Sequence, residues 1–275
     1  MRNICVIGGS RYFGKHLIER LLADGAHVTL VNRGSEPAPP GVEHLLADRD
    51  DETALVAALG DRTFDAVIDQ VCYTPVQAAI AARAFDGRTG RYVMTSTIEV
   101  YDTLDADEPV TEIDPATWPV TSATSWGYGE GKRQAEAVLA GSGLAFASVR
   151  STHVLGGQDF TGRLQHYVDA IRENREIVVH PAPRRTVFIN DREIADVLFW
   201  AAGETFTGPV NACSHGEFDV FELCALLGGE PRFTVGDADV SPYSFDRYYA
   251  MSNERATKLG FTFSRTADWL PELVA

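Results

Sequence analysis

The chain has 275 residues, enough for one large α/β domain or such a domain with a small appendage. Hydrophobic residues make up 45%, ordinary for a globular core, and no apolar run is long enough to lead an exported chain or span a bilayer, so a cytoplasmic protein is expected. A net charge of −15 repels phosphate backbones and argues against nucleic-acid partners.

Residues Asn3 to Gly14 read Asn-Ile-Cys-Val-Ile-Gly-Gly-Ser-Arg-Tyr-Phe-Gly. Cys5, Val6 and Ile7 predict a short strand, and Gly8 and Gly9 break it. Phe13, Leu17, Ile18, Leu21 and Leu22 then recur at helical spacing. A strand, a glycine turn and a helix start together suit a dinucleotide. The glycines let backbone approach a pyrophosphate, and the helix start offers free N–H groups to it. Gly8, Gly9, Ser10, Arg11, Tyr12, Phe13 and Gly14 are therefore candidate cofactor ligands, with Arg11 where a middle glycine is usual.

The next strand, His27 to Asn32, ends in Asn32-Arg33-Gly34. An NAD-preferring site usually places an acid here to hold the ribose 2′-hydroxyl. Arg33 and Arg11 either face a 2′-phosphate together or are two solvated surface cations. Their joint placement on the loops beside the adenosine ribose favours NADP over NAD. A third strand, Val42 to Asp48, runs into Asp48-Arg49-Asp50, where a carboxylate can meet the adenine amino group; Asp48 and Arg49 join the cofactor candidates.

A helix over Glu52 to Leu59, a buried strand over Ala66 to Cys72 and a helix over Pro75 to Phe85 follow. The fifth strand, Arg91 to Thr97, closes in Thr95-Ser96-Thr97-Ile98-Glu99. The proline-rich loop carrying Asp102, Asp105, Asp107, Glu108, Glu112 and Asp114 reads as a solvated connection. A helix over Trp126 to Ala140 carries Tyr128-Gly129-Glu130-Gly131-Lys132, and its two glycines predict close packing against a cofactor or a strand. Ala145 to Thr152 is a sixth strand.

After Gly156-Gly157 loops lengthen and arginines accumulate. Residues 1–154 are expected to bind the dinucleotide, with the strand Val187 to Asn190, the helix Glu193 to Ala202 and the strand Val210 to Cys213 returning to that domain. Residues 155–186 and 215–275, including a helix over Val220 to Leu227, are assigned to the substrate. The alternation predicts a doubly wound parallel α/β sheet, a Rossmann fold. Cys5, Cys72, Cys213 and Cys224 are far apart, lack a Cys-x-x-Cys and read as reduced core thiols, with no metal site.

Tyr128 and Lys132 lie four apart on one helix face. A lysine ammonium beside a phenol lowers its pKa from about 10 towards neutrality, giving a proton donor and acceptor suited to hydride transfer at a hydroxyl or ketone carbon. Thr97 is placed to hydrogen-bond the same oxygen.

These features resemble a short-chain dehydrogenase/reductase of the extended, NAD-dependent epimerase/dehydratase type. The resemblance rests on Gly8-Gly9-Ser10-Arg11-Tyr12-Phe13-Gly14, Asp48, Ser96-Thr97, Tyr128 with Lys132, Arg150, and Phe188-Ile189-Asn190-Asp191-Arg192-Glu193-Ile194-Ala195. Arg11 with Asn32-Arg33-Gly34 is similar to an atypical branch that includes the RNA-binding chloroplast stem-loop-binding proteins. The resemblance implies that Thr97 orients the substrate oxygen, Tyr128 exchanges its proton and Lys132 holds the nicotinamide ribose; it also implies a homodimer. Ser96 is included among the cofactor contacts.

His153 stands where relatives with nucleotide-sugar substrates often carry Asn, which weakens a nucleotide-sugar assignment. It is a substrate ligand, a second proton donor or a structural histidine. Glu99 resembles the carbon base of hexose 4,6-dehydratases, although Ile98 replaces the polar residue those enzymes often have between Thr and Glu; its alternative is a surface carboxylate. Arg163, Arg184 and Arg185 either recognise a substrate phosphate or carboxylate or compensate nearby acids. Three functions follow: an NAD(P)-dependent oxidoreductase or epimerase acting on a sugar-like small molecule, a dehydratase using Glu99, or a catalytically idle dinucleotide sensor or RNA-binding protein.

Overall fold

The computed structural model describes residues 1–102, 104–121, 123–157 and 159–274. The first half alternates β1 (Asn3–Ile7), α1 (Phe13–Ala23), β2 (His27–Asn32), β3 (Glu43–Leu46), α2 (Glu52–Leu59), β4 (Ala66–Asp69), α3 (Pro75–Phe85), β5 (Tyr92–Thr97), α4 (Tyr128–Ala140) and β6 (Phe146–Ser151). The second half holds β7 (His153–Leu155), α5 (Arg163–Arg172), β8 (Glu176–Val179), β9 (Thr186–Asn190), α6 (Asp191–Gly203), β10 (Gly208–Ala212), β11 (Glu217–Phe218), α7 (Val220–Leu227) and β12 (Arg232–Val235).

Seven strands pair in parallel in the order β3-β2-β1-β4-β5-β6-β10. The order reverses between β1 and β4, so the loops leaving their carboxyl ends diverge and open a crevice. Strand alternation supplies both faces of the sheet. Ile4 and Val6 pack under α1 and α6 with Leu17, Ile18, Leu21 and Leu198. Cys5 and Ile7 point the other way, towards Leu55, Ile80, Phe85, Ala135 and Leu139 of α2, α3 and α4. All four cysteines are free and buried.

The structure trims and redirects several sequence expectations. The apolar run Ala66 to Cys72 leaves the sheet at Asp69, whose carboxylate accepts the Val71 N–H at 3.0 Å and turns the chain. The strand expected to return at Val187 to Asn190 does not rejoin the main sheet. As β9 it lies between β7 and β11 in a three-stranded sheet, and β8 pairs with β12 in another; only α6 and β10 return. The region read as lengthening loops thus has its own core of Leu155, Tyr167, Ile177, Phe188, Leu223 and Tyr243.

Candidate functional site

Two ends of the crevice carry the candidate residues. At the first, Gly8 (φ +82°) and Gly9 (φ +79°) adopt the left-handed backbone that side chains disfavour. Gly14, inside α1, presses on that turn: a Cβ there would sit 2.5 Å from the Gly9 Cα. No side chain caps α1, so the helix start next to the half-exposed Ser10 keeps donors available to an anion. Arg11 is exposed and reaches Glu36 at 3.4 Å. Tyr12 is turned inward, donating to the Val154 carbonyl at 2.9 Å, and packs on the half-buried Phe13. At the end of β2, the Asn32 Oδ1 accepts from the Gly34 N–H (2.7 Å) and from His44 (2.9 Å). Its Nδ2 and the Gln70 Nε2 are buried with no partner among the described residues. A glycine cradle, an uncapped helix and two unpartnered amides fit a dinucleotide.

Arg33 and Asp48 are exposed near this end, but Arg49 points elsewhere. Its Nη1 lies 2.5 Å from Asp69 Oδ2 and its Nη2 donates to the Gln77 carbonyl at 2.8 Å. Burial works against the Arg49 cation, and Asp69 together with Cys72 and Tyr92 more than offsets it. That carboxylate also accepts the Tyr92 hydroxyl at 2.6 Å and, being fully buried, needs a counter-charge. The Arg49 guanidinium is therefore engaged inside the protein rather than offered to a cofactor. The Ser96 hydroxyl is likewise engaged inside the protein, donating to the buried Glu136 carboxylate.

At the second end, β5 delivers Thr97 and α4 delivers Tyr128 and Lys132. Tyr128 opens α4, is 53% exposed, and stands beside the Thr97 hydroxyl. Thr97 Oγ1 also accepts the Glu99 N–H at 3.2 Å, capping the 3-10 turn Ile98–Tyr101. Lys132 is buried, donates to the Thr95 carbonyl at 2.8 Å, and lies 4.5 Å from the Tyr73 ring centre and 5.9 Å from that of Tyr128. The glycines between them do let α4 pack closely, but against loop backbone rather than a strand. Cβ atoms at 129 and 131 would each sit 2.4 Å from a carbonyl oxygen, of Glu99 and Tyr73 respectively.

The expected descent of the Tyr128 pKa is not found. Burial raises it to about 12, Tyr73 and Glu99 add to the rise, and Thr97 and Arg163 oppose it. Lys132 stays out of direct contact with the hydroxyl, and burial pulls its own pKa down to about 8. Solvent over the exposed half of the ring tempers the elevation of the phenol, yet its direction is upward.

Beyond Tyr128 lies an aromatic cluster. The His153 ring stacks on Phe245 at 5.2 Å, with Tyr243 at 5.3 Å and Tyr249 at 5.5 Å. Burial, aided by Arg163 and Arg247, lowers the His153 pKa to about 3, so it is neutral at physiological pH and unsuited to be a second proton donor. Its Nε2 is buried without a partner among the described residues. Glu99 faces Tyr249 and Tyr128, and Arg163 faces Tyr243. Arg184 and Arg185 are not gathered here, being paired with Asp107 and Glu222 on the surface. Nor is the acidic loop simply solvated: Asp102 pairs with Arg133 at 2.7 Å, and Glu112 accepts the Asn211 N–H at 2.8 Å.

The profile of the NAD dependent epimerase/dehydratase family matches residues 4–209, three quarters of the chain. The chain belongs to that family. A distant relative is the chloroplast stem-loop binding protein of 41 kDa b of Arabidopsis thaliana, 23% identical over 98% of this chain and 75% of that protein. The 2'-dehydrokanamycin reductase of Streptomyces kanamyceticus is 34% identical, over 44% of this chain and 32% of its own length. Among solved structures, the Bordetella bronchiseptica enzyme WbmH in complex with NAD+ superposes with a TM-score of 0.78 at 20% identity, covering 100% of this chain and 97% of that one. The UDP-glucose 4-epimerase of Thermotoga maritima, solved with UDP-glucose, gives 0.79 at 15% identity, covering 99% and 97%.

Against this epimerase/dehydratase frame, the residue the sequence reading missed is Arg247. Its guanidinium lies 4.3 Å from the Tyr249 ring centre and donates to the Asp102 carbonyl. The aromatic-rich stretch Tyr243-Ser-Phe-Asp-Arg-Tyr-Tyr249 around one cation was the available signal. No helix among the described residues is long and apolar enough to cross a membrane.

Proposed function

We propose that the chain is an NAD(P)-dependent oxidoreductase or epimerase acting at a hydroxyl or ketone carbon of a sugar-like substrate, with NADP preferred. The observation that carries this reading is the convergence of Thr97, Tyr128 and Lys132 where β5 and α4 meet the crevice. The nicotinamide, when bound, supplies or accepts the hydride. Tyr128, protonated at neutral pH, donates its proton to a substrate carbonyl oxygen, or accepts one from a hydroxyl in the reverse direction. Thr97 holds the same oxygen. Lys132 spends one donor on Thr95 and keeps others for the dinucleotide ribose. His153, Arg163 and Arg247 form the substrate wall, a combination suited to a hydroxylated molecule with an anionic group. Sugar-like substrates are supported by the bound UDP-glucose of the Thermotoga epimerase and of MoeE5, which shares the fold. We assign residues 1–154 to the dinucleotide, and 155–186 with 215–275 to the substrate. Mass spectrometry of co-purifying cofactor tests the reaction type: retained oxidised dinucleotide marks an epimerase or dehydratase, and readily exchanged cofactor a reductase. Purified protein with no affinity for either dinucleotide would overturn the reading.

The NADP preference rests on Arg33, exposed beside the Asn32 position, with Arg11 held only by a weak solvent-exposed contact to Glu36. Arg33→Asp exchanges attraction for repulsion and is expected to weaken NADPH binding by roughly tenfold or more while NADH binding holds or improves. Equal titration affinities for both cofactors in the unmodified protein would remove the basis for the preference.

A dehydratase is the second reading, favoured by Glu99 facing Tyr128 and Tyr249. Elimination also needs a proton donor for the departing oxygen, and Ile98 is apolar and 2% exposed. Glu99→Gln is therefore expected to leave single-turnover hydride transfer largely intact. If solvent deuterium enters product beside the ketone with the natural residue and not with the variant, Glu99 is a carbon base and the dehydratase reading prevails. The charge of −15 keeps both enzyme readings ahead of an RNA-binding one.

A further inference from the structure

One buried ion pair lies behind the site without touching the crevice. Glu136 follows Lys132 by one turn of α4 and Tyr128 by two, so all three share a helix face. Its side chain and that of Arg150, on β6, are both 0% exposed and meet at 2.7 Å. Four donors from three residues converge on the one carboxylate: Ser96 Oγ from β5, Ser148 Oγ at 2.9 Å, and Arg150 through Nε at 3.1 Å and Nη2 at 2.7 Å. Arg150 continues outward to the Tyr101 hydroxyl at 2.7 Å and the Ile113 carbonyl at 2.9 Å. Tyr101 ends the 3-10 turn bearing Glu99 and donates to Asn211 on β10 at 2.8 Å. Ser96 immediately precedes Thr97. One carboxylate thus ties together every element that supplies a residue to the proposed proton transfer.

Burying such a pair is a poor way to gain stability, because desolvation cancels most of the attraction and apolar residues of similar volume often serve as well. What an apolar core lacks is directionality: hydrophobic contact allows α4 to slide or rotate, whereas four donors fixed on one carboxylate do not. We propose that Glu136 and Arg150 are positioning residues, setting the height at which Lys132 and Tyr128 stand against Thr97. This rests on the oxidoreductase reading above.

The double variant Glu136→Leu with Arg150→Met replaces the pair by apolar side chains, so it avoids the unpaired buried charge of either single change. It is expected to melt within a few degrees of the unmodified protein and to bind NADP+ about tenfold more weakly, through a displaced Lys132. The titration of Lys132, followed by NMR of 15N-labelled lysine, is a second readout. Lys132 faces Cys72, Asp69 and Arg49 as well as Glu136, and loss of the Glu136 charge lowers its midpoint. Glu136→Asp, which keeps the charge but shortens its reach, is the alternative if the double variant does not fold; a drop of a few-fold in NADP+ affinity is expected. Lys132→Met serves as control. Should that variant bind NADP+ normally, the role given to Lys132 fails. Should it lose affinity while a folded pair variant keeps its affinity for NADP+, only the positioning role fails, whatever the Lys132 midpoint does.

Discussion

Tyr128→Phe is expected to fold and bind dinucleotide as the unmodified protein does, while turnover falls by roughly two to four orders of magnitude. The substitution removes only the hydroxyl, and no folding contact depends on it: the ring is 53% exposed and its closest polar neighbour is Thr97 in the crevice. The pH dependence follows from the signs of the shifts. A phenol raised to about 12 holds its proton throughout the neutral range, so ketone reduction is expected to be flat there. It declines once the Lys132 ammonium, brought down by burial to about 8, loses its charge. Alcohol oxidation needs the phenolate and should rise with pH over the same interval. Rates in both directions, measured for protein and variant across pH, check this. A reduction rate that already falls with rising pH through the neutral range, below the Lys132 midpoint, would mean that burial does not govern Tyr128. Full turnover in the variant would remove it from proton transfer.

Gly129→Ala and Gly131→Ala set two opposing effects against each other. By helix propensity alone, each should stabilise α4 by about 1 kcal/mol. Each new Cβ, however, would lie 2.4 Å from a backbone carbonyl oxygen, at Glu99 or at Tyr73. Neither obstacle is a flexible side chain that can swing away, and overpacking costs about 1–3 kcal/mol or more when backbone must shift. Net destabilisation is expected for both, with α4 displaced outward and Tyr128 and Lys132 carried with it. Melting temperature should drop by several degrees, and activity by more than the fraction unfolded accounts for. Gly157→Ala provides the control, since nothing lies within 4 Å of its Cβ position. A rise in melting temperature for either helix variant would mean that the helix yields easily and that the contact does not place it.

The outline of the fold was legible because its signals are local. Helices α2, α3 and α7 begin where Asp51, Thr74 and Asp219 cap them, and Pro75 at the start of α3 reinforces the second. Alternating apolar residues, the glycine turn before α1 and the Tyr-x-x-x-Lys spacing likewise involve residues a few positions apart, and the strands and helices they announce are those that form.

Partnerships spanning the chain were not legible. Arg49 stood among the cofactor candidates until β4 brought Asp69 to it, 20 residues on. Ser96 belonged to a motif, yet its hydroxyl is taken by Glu136, 40 residues away. The Tyr128 pKa rises because burial outweighs the hydrogen bond from Thr97, and burial is a property of the assembled molecule. Arg247 and His153, 94 positions apart in number, meet only through the folding of the C-terminal stretch. Periodicity, caps and turns act over one helical turn or one hairpin and are written in the order of residues. Charge pairing and desolvation act through space, and only the tertiary structure decides them.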